Sequence, residues 1–537
     1  MTGLDTALTP LRFLERAASV HPGKTAVIDG DRRLTYREFA AAVTRAAHAL
    51  RAAGLAQGAR AAFLGTNSAE LLIAHYAVPL AGGVLVPLNT RLSPPEVAYI
   101  CNHSGATLLF GDPDLLQALG SPELETVTEV ISLPLQDGSA DTVDGTTAYA
   151  AFLERGADTA LPWDVADEDA VISLNYTSGT TGRPKGVMYT HRGAYLNSLG
   201  EVHHQGFGAD TVYLWTLPMF HCNGWCTTWA LTAASGTHVC LRAVRGPEIW
   251  RLIDTHGIDH LAGAPTVLSA IATAEEAHEL EHPLTIVTAG APPSPTVIQK
   301  IHRLRATVVH VYGLTESYGP YAVCEPQAAW AGLDTETLAR NMARQGVGML
   351  TSERLRVVRD APGADGELAD VAPDGREMGE IVMRGNSVMR GYYRDEEGTA
   401  DAFRGGWFHT GDLGVMHPDG YVQLLDRSKD VVVSGGENIS TIEVEQALAS
   451  HPAVADVAVI GVPDERWGER PKAFVVLAPG LEATGEELLA HVKSQIASYK
   501  APRSVEFILE LPKTSTGKIR KNELRSQEWE GLEARIN

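Results

Sequence analysis

The chain has 537 residues, 44% hydrophobic and 20% charged, an ordinary composition for a folded globular protein and a length that suggests two or more domains. Its formal net charge of −22 argues against general binding to nucleic acid or to an anionic membrane. Cysteines at 101, 222, 226, 240 and 324 form no disulfide framework, which fits a reducing cytosol and hence a cytoplasmic protein. Cys222 and Cys226 are four apart but lack a second Cys/His pair, so buried free thiols are expected there, not a zinc site. Asp5, Arg12, Glu15 and Arg16 leave no signal-peptide core, and the longest apolar stretch, near 77–88, is too short to span a bilayer.

From the N-terminus, helix and strand patterns alternate. TYRE at 35–38 is a capping box opening a helix to Gly54. Apolar runs at 61–64 and 84–86 predict buried strands, and Ser93 caps a helix ending near 103–105. An apolar strand at 170–174 runs into YTSGTTGRPKG at 176–186, followed by 187–191 and a helix from about Gly193. Alternation continues through 210–242, 258–271, 284–288 and 307–312, which argues for α/β sheets covered by helices. Residues 351–428 are turn-rich and read as antiparallel, with runs at 380–383 and 421–425.

After DRSKD at 426–430 the pattern restarts. A strand at 431–433 precedes the capping box STIE at 440–443, which opens a helix to about Ser450. Strands at 454–462 and 472–477, a helix at 486–497 and a strand at 505–509 complete a compact α+β unit. The expected domains are therefore 1–428 and 429–537, with no repeats. Only a short charged tail follows 525, so no appended carrier domain is expected.

The loop at 176–186 packs hydroxyls, glycines and a lysine together. Glycines such as Gly179 let backbone N–H groups approach an anion, and successive N–H groups form an anion-binding nest. Thr177, Ser178, Thr180 and Thr181 add hydroxyl donors, and Lys185 adds a point charge. A strand entering such a loop is how proteins hold polyphosphates, although GxxxxGK[ST] is absent. A surface linker is the plainer reading, but linkers seldom abut a buried strand.

The spelling YTSGTTGRPKG resembles the phosphate-binding signature of the adenylate-forming superfamily, which includes acyl-CoA synthetases, peptide-synthetase adenylation domains and firefly-type luciferases. Further segments match in family order over about residues 10–525. VYGLTES at 311–317 follows an apolar strand, the place where α/β proteins bind ligands. Glu316 is a hard oxygen donor suited to Mg²⁺ shared with ATP phosphates. The resemblance implies the same role, adds Thr177 to the metal site and Gly313 to the ATP site, and places Tyr312 near adenine and Thr315 near phosphate. It implies that Gly290 and Ala291, in TAGAPP at 288–293, border adenine and the acyl pocket. Asp412, in WFHTGDL at 407–413, would accept both ribose hydroxyls, and Arg427 would contact ribose or phosphate. The resemblance implies that Lys429 is the hinge. The loop with Gly435, Gly436 and Glu437 would help form the pantetheine channel. Lys518, in PKTSTGK at 512–518, matches the catalytic lysine: a mobile cation there would stabilise charge developing on the phosphoryl oxygens.

For the acyl pocket, LPMFHCNGW at 217–225 resembles the acyl-CoA synthetase form of the gating segment. His221 and Trp225 would flank the carboxylate and the acyl entrance, His221 counting among the catalytic residues, and Gly263, Tyr318 and Gly319 would complete the walls. No Asp stands where amino-acid-activating members bind an amino group. The stretches 315–320 and 343–346 look like a subgroup using short- to medium-chain or aromatic acids.

The resemblance implies a large N-terminal domain of α/β sheets with a small β-barrel-like part and a small mobile C-terminal α+β domain. It implies an ATP-dependent, AMP-forming carboxylate–CoA ligase using Mg²⁺, with CoA as co-substrate and a small carboxylic acid as partner. No nucleic acid and no membrane span enter this reading, and it allows a homodimer. Alternatives are a stand-alone adenylating enzyme with a carrier-protein or amine acceptor, one activating an unusual oxyanion such as nitrite, and a non-enzymatic binding module. Retention of Glu316, Asp412 and Lys518 argues against the last. Against the acidic background, the basic residues in 493–525 are expected to make a local positive field, facing only Glu506, Glu510 and Glu523.

Overall fold

The computed structural model describes residues 5–529 apart from 137–138, 140–141, 178–182, 291–294, 361–366, 428, 435–436, 465 and 515–517. Two large sheets carry the N-terminal part. One has seven strands, with Val171–Thr177 and Lys185–Thr190 as an antiparallel pair at one edge; the other has nine, parallel through its centre. The helix Ala69–Leu80 touches a strand of each sheet and is buried along its whole length. It has no polar stripe, and a helix that is apolar all round belongs inside a large core. Its only buried charge, Glu70, pairs with Arg32.

The expected capping boxes form at Thr35–Glu38 and Ser93–Glu96. At Ser440 only half forms. The Ser440 hydroxyl accepts from the Glu443 N–H at 3.1 Å, while the Glu443 carboxylate pairs with Lys500 at 2.7 Å. Tertiary charge competes with the local cap.

The antiparallel region is an open four-stranded sheet, Arg356–Val358, Met378–Met383, Phe408–Met416 and Val422–Arg427. No closed barrel forms among the described residues. Four strands, one only three residues long, are too few to curl shut around a filled interior.

Arg427 ends the last strand of that sheet, and the next strand, Val432–Ser434, belongs to a separate five-stranded sheet. In the strand Val454–Asp464, Val457 and Val459 pack under the helices Thr441–Ala449 and Gly485–Gln495. Ala458, Ile460 and Val462 face the other way, onto Leu511 and Leu524. This period-two alternation gives the small unit a core on both faces.

In the nine-stranded sheet, Ala306–Leu314 and Gly319–Val323 pair antiparallel around the tight turn Thr315–Ser317. A Cβ on Gly313 would lie 1.8 Å from the Gly319 carbonyl oxygen, so the strands can close only on glycine. Tyr318 adopts φ 63°, held there by its stacking on Tyr189 at 3.9 Å and by the Thr190 N–H, which donates to its hydroxyl at 2.8 Å.

Candidate active site

The turn places Glu316 at a strand end. The Tyr392 hydroxyl donates to Glu316 Oε1 at 3.0 Å, and the Glu316 carbonyl accepts from the Met389 N–H at 2.7 Å. Burial raises the Glu316 carboxyl above its usual range, with Tyr392 and Arg427 opposing. Asp412 is 4% exposed; it accepts from the Tyr312 hydroxyl at 2.8 Å and faces Arg427 Nε at 3.6 Å. Asp412 and Arg427 are direct cross-strand partners, so strand register sets this pairing.

Thr177 ends its strand opposite Lys185. Lys185 Nζ lies 3.1 Å from Asp395 and 4.6 Å above the ring of Tyr392, the residue that bonds Glu316. The lysine of the phosphate-type loop and the candidate metal ligand thus share one aromatic neighbour. A cavity of about 200 Å³ opens beside them, lined by Tyr99, His103, Arg183, Lys185, Tyr393 and Asp395.

Lys518 comes from the C-terminal unit. Its N–H donates to Thr514 Oγ1 at 3.0 Å, its carbonyl accepts from the Thr514 N–H at 2.7 Å, and Arg91 from the N-terminal part reaches the Thr514 carbonyl at 3.3 Å. Burial pushes the Lys518 ammonium down to about 7; Arg427 adds repulsion, while Asp412 and Asp430 oppose. His221 is pushed down to about 4, by burial first and by the Lys518 charge second. Lys429 lies in the same field, beside Arg427, Asp430, Arg525 and Asp412. Distant segments therefore bring His221, Glu316, Asp412, Arg427, Lys429 and Lys518 into one electrostatic neighbourhood.

Trp225 packs over Gly319, where a Cβ would meet the indole at 2.8 Å; Gly319 has φ 99°. Gly263 ends its strand against Val267. Tyr318 is fully buried with its hydroxyl occupied by Thr190, so it braces the turn and offers little more than its backbone to a pocket. Thr315 is fixed on both sides: its carbonyl accepts from the Tyr189 hydroxyl at 2.6 Å and its hydroxyl from the Cys222 thiol at 3.4 Å. Gly290 has φ 91°, two residues past the strand Leu284–Thr288. Ser178, Gly179, Thr180, Thr181, Ala291, Gly435 and Gly436 lie outside the described residues, and of Glu437 only the backbone is described, pairing with Ser434.

The expected free positive field over 493–525 is largely neutralised. Lys500 pairs with Glu443, Lys513 with Asp456, Lys521 with Glu445 and Arg525 with Asp430. Those acids lie 40 or more residues away in sequence, so local charge counting could not find them. Lys518 forms no ion pair among the described residues. Tyr392, Asp395 and Arg91 also belong to this neighbourhood but carried no sequence signal beyond the dense RGYYRD at 390–395. All five cysteines are free and buried, which includes the buried thiols expected at Cys222 and Cys226.

No described cluster of three His, Cys, Asp or Glu side chains could hold a metal by itself. The donor set does fit Mg²⁺, which binds through one carboxylate together with substrate phosphates and water. Glu316, with one oxygen bonded by Tyr392, would supply that carboxylate.

Residues 14–393 match the AMP-binding enzyme family, and 443–518 match the C-terminal domain of AMP-binding enzymes. The chain belongs to this family. It is an acyl-CoA synthetase of the adenylate-forming superfamily. An acetate–CoA ligase of Humulus lupulus is 43% identical, covering 97% of this chain and 95% of the relative. A 4-hydroxybutyrate–CoA ligase of Metallosphaera sedula is 41% identical over the same shares. Among solved structures, an anthranilate CoA ligase in complex with anthranoyl-AMP superposes with a TM-score of 0.86 at 26% identity, covering 98% of both chains. ATP-bound MatB from Rhodopseudomonas palustris gives 0.82 at 28% identity, covering 96% of this chain and 98% of that one.

Proposed function

We propose that the protein joins a small monocarboxylic acid to CoA through an acyl-adenylate, with 1–428 as the adenylating domain and 429–537 as a domain that turns about Lys429 between the two steps. The observation that carries this reading is the convergence of Lys518, Asp412, Arg427 and His221 beside the turn bearing Glu316.

In the first step a carboxylate oxygen attacks the α-phosphorus of ATP and pyrophosphate leaves. Thr177 and Lys185 hold the phosphate end, with the hydroxyl loop between them, and Asp412 holds the ribose against Tyr312, Gly313, Gly290 and Ala291. Lys518 stabilises charge as it grows on the phosphoryl oxygens. Its half-buried position strengthens that interaction over the same charge in water. His221, neutral at physiological pH, holds the acid through an N–H donor and adds no charge. Mg²⁺ held by Glu316 and Thr177 would supply neutralising charge to the phosphates. In the second step the CoA thiol, guided by the segment Gly435, Gly436 and Glu437, attacks the acyl carbonyl and AMP leaves.

A small acid is favoured because Trp225 closes over Gly319 and Val267 fills the space at Gly263. Relatives named for acetate, for 4-hydroxybutyrate and for cinnamate support a short- to medium-chain or aromatic acid. The buried thiols support a reducing compartment, the cytoplasm included; several relatives, from Arabidopsis thaliana and Petunia hybrida, are named as peroxisomal. No described helix is long and apolar enough to cross a membrane. The site is built from one chain, so a homodimer is not needed to complete it.

A pyrophosphate-release screen over acetate, butyrate, longer fatty acids, benzoate and cinnamate, with and without CoA, tests this reading. Release that needs an acid and acyl-CoA that needs CoA support it; acid-independent turnover would sink it. The pH dependence adds a second check. Because the Lys518 ammonium is lowered to about 7, kcat/KM for ATP should fall as pH rises through that region, since only the protonated lysine carries charge. Phosphates in the ATP complex favour the ammonium, so the same limb in kcat should lie higher. Lys518→Arg stays charged and should lack the limb; a limb retained in that variant would assign it to another group.

A further inference from the structure

The helix His191–Gln205 carries Asn197, Glu201 and Gln205 four residues apart, hence on one face. That face is inside the protein. Asn197 and Glu201 are each 1% exposed, and Tyr213, on the strand Val212–Trp215, is fully buried close to Glu201. Gln205 Nε2 donates to Glu201 Oε2. The Tyr213 hydroxyl is bonded by the backbone at Ala262, and the Asn197 amide bonds the Cys226 thiol. Three buried oxygens here have no partner: Asn197 Oδ1, Glu201 Oε1 and Gln205 Oε1. Buried polar atoms are almost always bonded, so a group of three on neighbouring side chains calls for a ligand or water between them.

The seam lies one side chain behind the candidate acyl pocket. Cys226 follows Trp225; its thiol is 3.8 Å from the Tyr318 carbonyl on one side and lies against Asn197, within the field of Glu201, on the other. Thr227, next in sequence, also has an unpartnered buried hydroxyl.

The chemistry of the seam is specific. No lysine or arginine forms an ion pair with Glu201 among the described residues. Burial pushes the Glu201 carboxyl up to about 8, so it keeps its proton at neutral pH and can donate. The Tyr213 O–H and protonated Glu201 offer donors; Asn197 Oδ1 and Gln205 Oε1 offer acceptors. A hydroxyl group, which donates and accepts at once, satisfies such a set. A second carboxylate would find no cation, and an alkyl end would leave the open oxygens unbonded.

We propose that this seam is a binding site for a neutral hydroxyl group at the far end of the acyl pocket, filled by the hydroxyl of an ω-hydroxy acid or, with other acids, by ordered water. The proposal rests on the ligase reading above for its substrate arm only.

The test compares kcat/KM for 4-hydroxybutyrate, 5-hydroxypentanoate and 6-hydroxyhexanoate with their unsubstituted parents, in the wild type, Asn197→Leu and Glu201→Met. A site that bonds a substrate hydroxyl discriminates strongly against its absence, so the hydroxy/parent ratio should fall about tenfold or more in the variants for the acid of matching length. A high-resolution crystal structure of the wild type, alone and with the same acids, reads the seam without any variant. A ratio that falls assigns the hydroxyl to the substrate. A ratio that holds, with ordered water bonded to Asn197 and Glu201, assigns it to water. A ratio that holds with no ordered oxygen in the seam overturns the proposal. If the wild type ligates none of these acids, the ligase reading fails for this substrate class, and the crystal structure still decides the seam.

Discussion

Replacing Lys518 by alanine is expected to slow acyl-AMP formation by about a thousandfold, while transfer from supplied acyl-AMP to CoA stays within about threefold of the wild type. The asymmetry follows from where the charge is needed. In-line attack on the α-phosphorus builds negative charge on phosphoryl oxygens, and a cation there stabilises the transition state more than the ground state. The second step expels AMP from an acyl carbon, and the proposed rotation of the C-terminal domain would by then have turned Lys518 away. A structural explanation would be easy to detect. Lys518 forms no ion pair among the described residues, and burial lowers its ammonium towards neutrality, so its charged form is disfavoured by folding. The lysine's folded value lies below its unfolded one; its burial therefore opposes stability most at low pH and less as pH rises above about 7. The alanine variant should accordingly melt no lower than the wild type near neutral pH. Equal loss of both half-reactions would contradict the assignment.

Glu316→Gln should produce the second largest effect, a fall of roughly a hundredfold or more in acyl-AMP formation. Glutamine keeps the shape and can still accept from the Tyr392 hydroxyl, so the hydrogen bond at 3.0 Å and the turn itself should persist. Only the negative charge is removed. The loss should appear as a higher Mg²⁺ requirement in the adenylation assay, with the thioester half-reaction little changed. If Mg²⁺ dependence is unaltered while activity falls, Glu316 acts by positioning the Tyr392 and Lys185 neighbourhood, and the metal-ligand role is wrong.

The sequence made much of this legible, for identifiable physical reasons. Strands at 61–64, 284–288 and 454–462 are apolar runs between turn residues, and the structure places strands over each. Capping boxes at Thr35 and Ser93 mark helix starts because both hydrogen bonds are local. Glu316, Asp412 and Lys518 stand out because their motifs occur together and in order. What stayed hidden depends on long-range partners. Lys500, Lys513 and Lys521 look like a free basic face until Glu443, Asp456 and Glu445 arrive from across the small domain. Tyr318 looks like a pocket wall until Tyr189 and Thr190 are seen to occupy its ring and hydroxyl. Asn197, Glu201 and Gln205 have the spacing of a solvated helix face, and only tertiary packing turns that face inward. Lys185 carries an expected charge, but its partner Asp395 lies 210 positions further along the chain.

The most direct test of the two-step reaction is to follow the carboxylate oxygens. The acid that gives the strongest pyrophosphate release is labelled with ¹⁸O in both carboxylate positions and turned over with ATP and CoA, and the products are weighed by mass spectrometry. If a carboxylate oxygen attacks the α-phosphorus, AMP emerges carrying one labelled oxygen, acyl-CoA keeps the other, and pyrophosphate carries none. Label in pyrophosphate or inorganic phosphate, or AMP free of label while acyl-CoA accumulates, would show that the acid is activated elsewhere on the nucleotide or without an adenylate at all.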